Sequence, residues 1–384
     1  MTAYAGTLED MVLYPDQIQG GAYETLVENT DVFNAASRNA LRIVPALRKA
    51  EYAAEAFTQR ISTTLIRRRD PSSVSAIEPD KIAQAEALSI KVNRGYLIEQ
   101  TEDAFRKALG AGVSAEALSY MVGQQIAKEM LGDMSNVLIG SVTGALSLQA
   151  TNLVDLTEAA APIVTTANLV DALAKMGDSA HLIRAWVMSP TVFYNLTKRQ
   201  ISESISGIAN IAVMSGGPTT LGIPVIVTDC PALVIDGGAD PDTYVTLGLT
   251  ENAGVIEDSE TRSILTERVG GLANIVQRVQ GEYAYNVGVK GFSWNTTTGG
   301  TNPTDAYLAA GTYWTKVRAS HKDLAGVAIL STEVEPTAVT LSDSISAGLE
   351  DYGVVTGTDL STATASLVAA IESTIPEAGE GTTT

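Results

Sequence analysis

The residues best placed for chemistry lie in "RAWVMSPTVFYNLTKRQ", residues 184 to 200, where a strand-like apolar run meets a Ser-Pro corner and becomes a helix-like run. Several hydrolase folds expose a nucleophilic serine at such a break. Ser189, however, lies between Met188 and Pro190, so the glycines of a G-x-S-x-G elbow are absent. A plain helix start accounts for every residue. Ser189 at N-cap accepts an orphan N–H, Pro190 at the first helical position has no N–H to lose, and Lys198 with Arg199 meet the helix's negative end. The chain has only two histidines. Ser189, Asp229 and His321 follow a hydrolase order without any spacing signature, and His181 and His321 both read as surface residues.

Other chemistries also lack parts. "MSGGPTTLG", residues 214 to 222, imitates a phosphate loop but has no Gly-Lys-Ser/Thr ending to supply a cation and a magnesium ligand. Cys230 is the one cysteine, which excludes an intrachain disulfide and a four-thiolate zinc site. No H-E-x-x-H occurs, and no carboxylate pair stands out as a raised acid beside an ionised base. The expectation is a protein that is not an enzyme, with no catalytic, cofactor-binding or metal site.

Composition points the same way. With 44 acids against 25 lysines and arginines the formal net charge is −19, which disfavours a general nucleic-acid binder, because phosphate neutralisation needs clustered cations. A 384-residue chain that is 45% hydrophobic and 18% charged predicts a folded protein of two or three domains. The first residues show no cationic leader before an apolar run, and nowhere do about 18 apolar residues follow one another. Neither a secretory signal nor a membrane span is expected.

The elements that must position these residues follow in order. Residues 1 to 37, with Pro15 and the Gly20-Gly21 pair, read as an extended arm with short helical pieces. From Arg38 to Arg69 eight cations face only Glu51 and Glu55. Two β-rich runs, around 57 to 68 and 87 to 98, flank Pro71 and Pro79 and predict a long two-stranded excursion. Such a hairpin is marginal alone and needs something to lie on. Ser114 opens a helix expected to reach Ile139, with Leu118, Val122, Ile126, Met130, Met134 and Leu138 on one stripe, widened by Met121 and Val137. From about 152 to 280 helices and strands alternate, and further strands follow in "NIVQRVQGEYAYNVGVKGFSW" and "KDLAGVAILS". Residues 332 to 384 hold nine acids and no lysine or arginine, with one helix expected at "TATASLVAAIEST" and a disordered end.

In this order, with "DALAKMGDSAHLIRAWVMSPTVFYNL", "TLGIPVIVTDCPAL", "YVTLGLTENAGVIED" and "YAYNVGVKGFSW", the chain resembles the major capsid proteins of tailed bacteriophages, whose α+β fold is HK97-like. The resemblance covers about residues 1 to 331. It implies an N-terminal arm (1–50), an extended loop reaching over a neighbour (51–95), a peripheral domain with a spine helix (96–151 and 281–331) and an inserted axial domain (152–280). Residues 332–384 extend beyond the family pattern as an acidic addition.

The function so implied is self-assembly into an icosahedral phage head enclosing double-stranded DNA, a virion location after assembly in the host cytoplasm, and no cofactor. Partners would be further copies, in pentamers and hexamers, with portal, scaffolding and decoration proteins as candidates; DNA would be enclosed without sequence-specific binding, and no membrane is involved. Arg67, Arg68, Arg69 and Lys81, all in the hairpin, are candidate contacts between subunits. One family member cross-links a lysine to an asparagine, but nothing around Lys81 identifies such a partner. The alternatives are an encapsulin-type compartment enclosing an enzyme and, in another class, a hydrolase using Ser189.

Overall fold

The computed structural model describes residues 13–44, 50–58, 66, 71–72, 84–103, 114–159, 161–206, 219–238, 240–260, 262–271 and 273–334. Nearly all belong to one unit, which runs to Glu158 and resumes from Ile163 to Glu333. Arg67, Arg68, Arg69 and Lys81 lie outside the described residues, as does the helix expected near 362–374.

Where an extended arm was expected, the chain forms a 22-residue helix, α1 (Pro15–Ala36). Pro15 opens it, at a position where the missing N–H costs nothing. Ile18, Ala22 and Leu26 recur every four residues and are buried. Of the pair that suggested a break, Gly21 allows close approach instead, and so does Gly123 of the helix it meets. A side chain at Gly21 would come within 2.5 Å of the Tyr120 carbonyl oxygen, and one at Gly123 would overlap the Ile18 carbonyl. Two helices cross there, backbone to backbone.

β1 (Leu41–Val44) follows. β2 (Tyr52–Thr58) and β3 (Gln84–Thr101) form the expected excursion, antiparallel, with Tyr52 opposite Ile90 and Thr58 opposite Gln84. The first strand begins earlier than expected and β3 is longer at both ends. Its second half pairs with a different strand, so its length is set by tertiary pairing that no local propensity encodes.

The long helix α2 (Ala115–Ser147) starts as expected, Ser114 accepting a hydrogen bond from the Ala117 N–H at 3.2 Å. It runs eight residues past Ile139, because Val137 to Leu146 are buried without interruption and a helix apolar all round belongs inside a core. Met121, expected on the stripe, is 49% exposed, since α1 covers the adjacent face of Gly123, Ile126, Ala127 and Met130 instead.

Next come β4 (Leu153–Asp155), α3 (Thr166–Met176), β5 (Ile183–Met188), α4 (Pro190–Ser206), β6 (Thr219–Thr220), β7 (Ile223–Val227), β8 (Val234–Ile235) and β9 (Thr243–Thr250). They are followed by β10 (Gly254–Asp258), β11 (Ser263–Val269), β12 (Val276–Val289), β13 (Phe292–Trp294), α5 (Thr296–Gly299), α6 (Asp305–Leu308), β14 (Trp314–Lys316) and β15 (Gly326–Ser331). A first sheet has the order β1-β10-β12-β3-β2, with β11 also on β12; a second has the order β4-β15-β9-β5-β7-β6, with β8 on β9.

The second sheet is covered on both faces. Ala185 and Val187 of β5 join α2 in the main core, while the alternate residues Trp186 and Met188 meet Leu169, Met176, Val192 and Leu196 of α3 and α4. The sheets also exchange segments. β10 and β11 belong to the first sheet although they fall within 152–280, and β15 belongs to the second although it falls within 281–331.

Candidate assembly surfaces

Ser189 is buried, and its carbonyl accepts the Phe193 N–H at 3.1 Å at the start of α4. Among the described residues no hydrogen bond joins it to Asp229 or His321. His321 instead lends its carbonyl to Asn152 Nδ2 at 3.0 Å, and His181 Nδ1 lies 2.9 Å from the Asp178 carbonyl. No group of three or more histidines, cysteines or carboxylates among the described residues is placed to hold a metal, and no described helix is long and apolar enough to cross a membrane. Arg199 does not end its helix as the sequence suggested, because α4 continues to Ser206.

Arg199 turns instead toward Glu333, a residue that sequence reasoning placed in the acidic extension. Glu333 is buried. Its Oε1 accepts from the Val164 N–H at 2.9 Å and Ser331 Oγ at 3.0 Å, and its Oε2 accepts from Asn195 Nδ2 at 3.3 Å and lies 3.7 Å from an Arg199 nitrogen. The extension therefore begins after Glu333, not after Ser331. A composition shift marks where acids begin, not where burial ends.

The hairpin's root is held by a polar cluster. Asp133 of α2 accepts from Arg94 Nε at 3.2 Å, the Tyr283 hydroxyl at 3.1 Å and the Tyr285 hydroxyl at 2.9 Å, while Arg94 also reaches Asp305 at 2.5 Å. Burial works against the Arg94 charge, but Tyr285, Asp133 and Asp305 outweigh it and hold the guanidinium above its ordinary pKa range. Burial, and then the Asp133 charge, pushes the phenols of Tyr283 and Tyr285 up, so both stay donors. The sequence does not single these residues out, since Arg94 shares β3 with Glu86, Lys91 and Glu99, and Asp133 shares α2 with Glu116, Lys128 and Glu129. Farther along, Ser293 Oγ accepts the Leu88 N–H at 3.0 Å and Arg318 lies 3.6 Å over the Phe57 ring.

Beyond Ile90 the ribbon has no third strand among the described residues, because β12 stops pairing with β3 at Val287. Two concave surfaces flank its root. A cleft of about 530 Å³ on the first sheet mixes Arg42, Lys290 and Arg318 with Glu55, Glu251 and Glu257. Burial lowers the Lys290 pKa there, and its ammonium donates to Thr250 Oγ1 at 3.2 Å and the Glu251 carbonyl at 3.0 Å. A groove of about 340 Å³ between α1 and the same sheet has an apolar floor, including Ala22, Leu26, Met130, Ile264 and Tyr283, and a rim on which Asp258, Glu260 and Glu282 outnumber one cation, Arg262.

Comparison with known proteins supplies the family. Residues 10–328 match the family model described as "Gp13-like: Major capsid protein 13-like". No curated protein matches the chain. Among solved structures, the capsid of Helicobacter pylori bacteriophage KHP30 is similar with a TM-score of 0.50 at 8% identity, over 78% of this chain and 89% of that one. Capsids of Ralstonia phage GP4 (TM-score 0.44, 10% identity, 78% and 88% of the two chains) and Cyanophage Pam1 (0.46, 10%, 74% and 86%) are also found. The KHP30 likeness shows the fold, the α+β HK97-like capsid fold; the family match, which spans most of the chain, shows more. This chain belongs to the Gp13-like major capsid proteins and is a capsid-forming protein.

Proposed function

We propose that the chain builds a closed icosahedral head around double-stranded DNA from pentamers and hexamers of itself, assembled in the host cytoplasm, and that it catalyses no reaction. One observation carries this reading: a two-stranded ribbon, β2 with residues 84–89 of β3, extends past the end of its pairing with β12, with no third strand in the ladder there among the described residues and only side-chain contacts from Ser293 and Arg318 described along it. Such a ribbon is marginal in water alone, so the fold makes sense when neighbouring copies cover it. In this reading the ribbon is the extended loop, the first sheet with α2 forms the peripheral layer, and the second sheet with α3 and α4 forms the axial layer. The net charge of −19 favours an inner surface that does not grip DNA which must later leave. Portal, scaffolding and decoration proteins are the further partners such a head calls for. Electron microscopy of the purified protein tests the reading. Closed shells of uniform diameter containing nucleic acid are expected when it is expressed with its phage, whereas discrete small oligomers alone would sink it.

A further inference from the structure

We propose that the groove between α1 and the first sheet is the receptor for the β2–β3 connection of a second copy, with Ile66 on its apolar floor and Arg67, Arg68 and Arg69 on its acidic rim. The proposal rests on the shell-forming reading above and names the surface that takes the hairpin.

Charge and hydrophobicity complement each other on the two sides. Residues 59 to 69, "QRISTTLIRRR", hold four arginines and no acid in a chain of net charge −19, and Ile66 is 93% exposed. Across the groove, Asp258 is engaged by Arg262 at 2.9 Å and Glu260 by Lys91, but Glu282 has no cation partner among the described residues. Neither does Glu24 of α1, whose carboxylate accepts only the Tyr120 hydroxyl at 2.6 Å. The helix α1 itself carries four acids and no lysine or arginine, and Tyr23 on its outer side is 66% exposed beside the groove. An aliphatic side chain next to guanidinium forks suits an apolar floor edged by carboxylates.

Reach decides whose segment it is. Tyr283 lies opposite Arg94, and Gly281, the partner of Ile264, lies opposite Tyr96. The floor therefore sits ten to twelve residues down β3 from Gln84, roughly 33–40 Å of strand. Ile66 follows Thr58 by eight residues, at most about 29 Å of extended chain, and Thr58 is held opposite Gln84. The chain's own Ile66 falls short of its own floor. A second copy has no such limit.

The test is a chain carrying both Ile66→Cys and Tyr23→Cys, oxidised after assembly and run on a non-reducing gel; Cys230 is buried and stays in place. A covalent ladder of copies is expected. Internally linked monomers, or unlinked chains from intact shells, would overturn the docking while leaving the capsid reading untouched; absence of wild-type shells would sink that reading instead. A second measurement does not depend on the variant assembling. A labelled peptide of residues 59–72 should bind the unassembled wild-type full chain, weaken with added salt, and bind about five-fold more weakly to Glu282→Gln, an exposed position. No binding, or binding indifferent to Glu282, would show that the groove takes something else.

Discussion

Ser189 precedes Pro190 and its carbonyl accepts the Phe193 N–H, so an N-cap hydroxyl there would serve the earlier donors of α4, the Thr191 and Val192 N–H groups. Ser189→Ala should therefore cost about 1 kcal/mol in chemical denaturation of the unassembled subunit and leave particle formation intact. A hydrolytic activity that vanishes in the folded variant would contradict both the cap and the structural role. The glycines of α1 offer a sharper contrast. A methyl group at Gly20 would meet nothing within 4 Å, so Gly20→Ala should stabilise by roughly 0.5–1 kcal/mol, the ordinary helix-propensity gain. Gly21→Ala, one position on, should destabilise by about 1–3 kcal/mol, because the methyl meets the Tyr120 carbonyl. Two thermal melts decide it; equal effects would mean that the helices do not cross there. A sequence shows both glycines as breakers, because the partner backbone that makes one of them necessary lies far along the chain.

The elements differ in how far they announce themselves. The start of α2 was legible because Ser114 and Glu116 act within one turn. Its end was not, since the residues from Val137 to Leu146 meet core on every side and no polar face marks a period. The strand β15 shows a related limit at its far end, where a buried carboxylate two residues on ties three elements together. Truncation after Val334 should keep the subunit's stability, whereas truncation after Ser331 removes Glu333 and leaves Arg199, itself mostly buried, without its counter-charge. We expect the shorter chain to lose about 2–4 kcal/mol, on the order seen when one partner of a buried pair is removed. Equal denaturation midpoints for the two truncations would show that the acidic extension begins where its composition first changes.

Across the whole subunit, the order of elements was readable because order is what a sequence displays, and that order carried the resemblance to capsid proteins. The groove under α1 was not readable, as its lining comes from α1, α2, β3, β10, β11 and β12, brought together only by the fold. We propose that the hairpin arginines belong to assembly rather than to folding. Replacing Arg67, Arg68 and Arg69 together with Ser should leave the monomer's circular dichroism unchanged while lowering particle yield or making shells salt-sensitive. Each exposed pair contributes only about 0.2–1 kcal/mol, but every copy in a shell repeats it. Normal yield and salt tolerance would show that these side chains face solvent. One further consequence follows from β3, which lies along β12 from Thr101 opposite Val276 to Ile90 opposite Val287. Tension drawn along the ribbon by a neighbouring copy runs parallel to both strands, so it shears twelve residue pairs at once instead of peeling them one after another. If a closed head stretches its wall under internal pressure, this register would make each subunit a tensile link whose grip is one strand pair long.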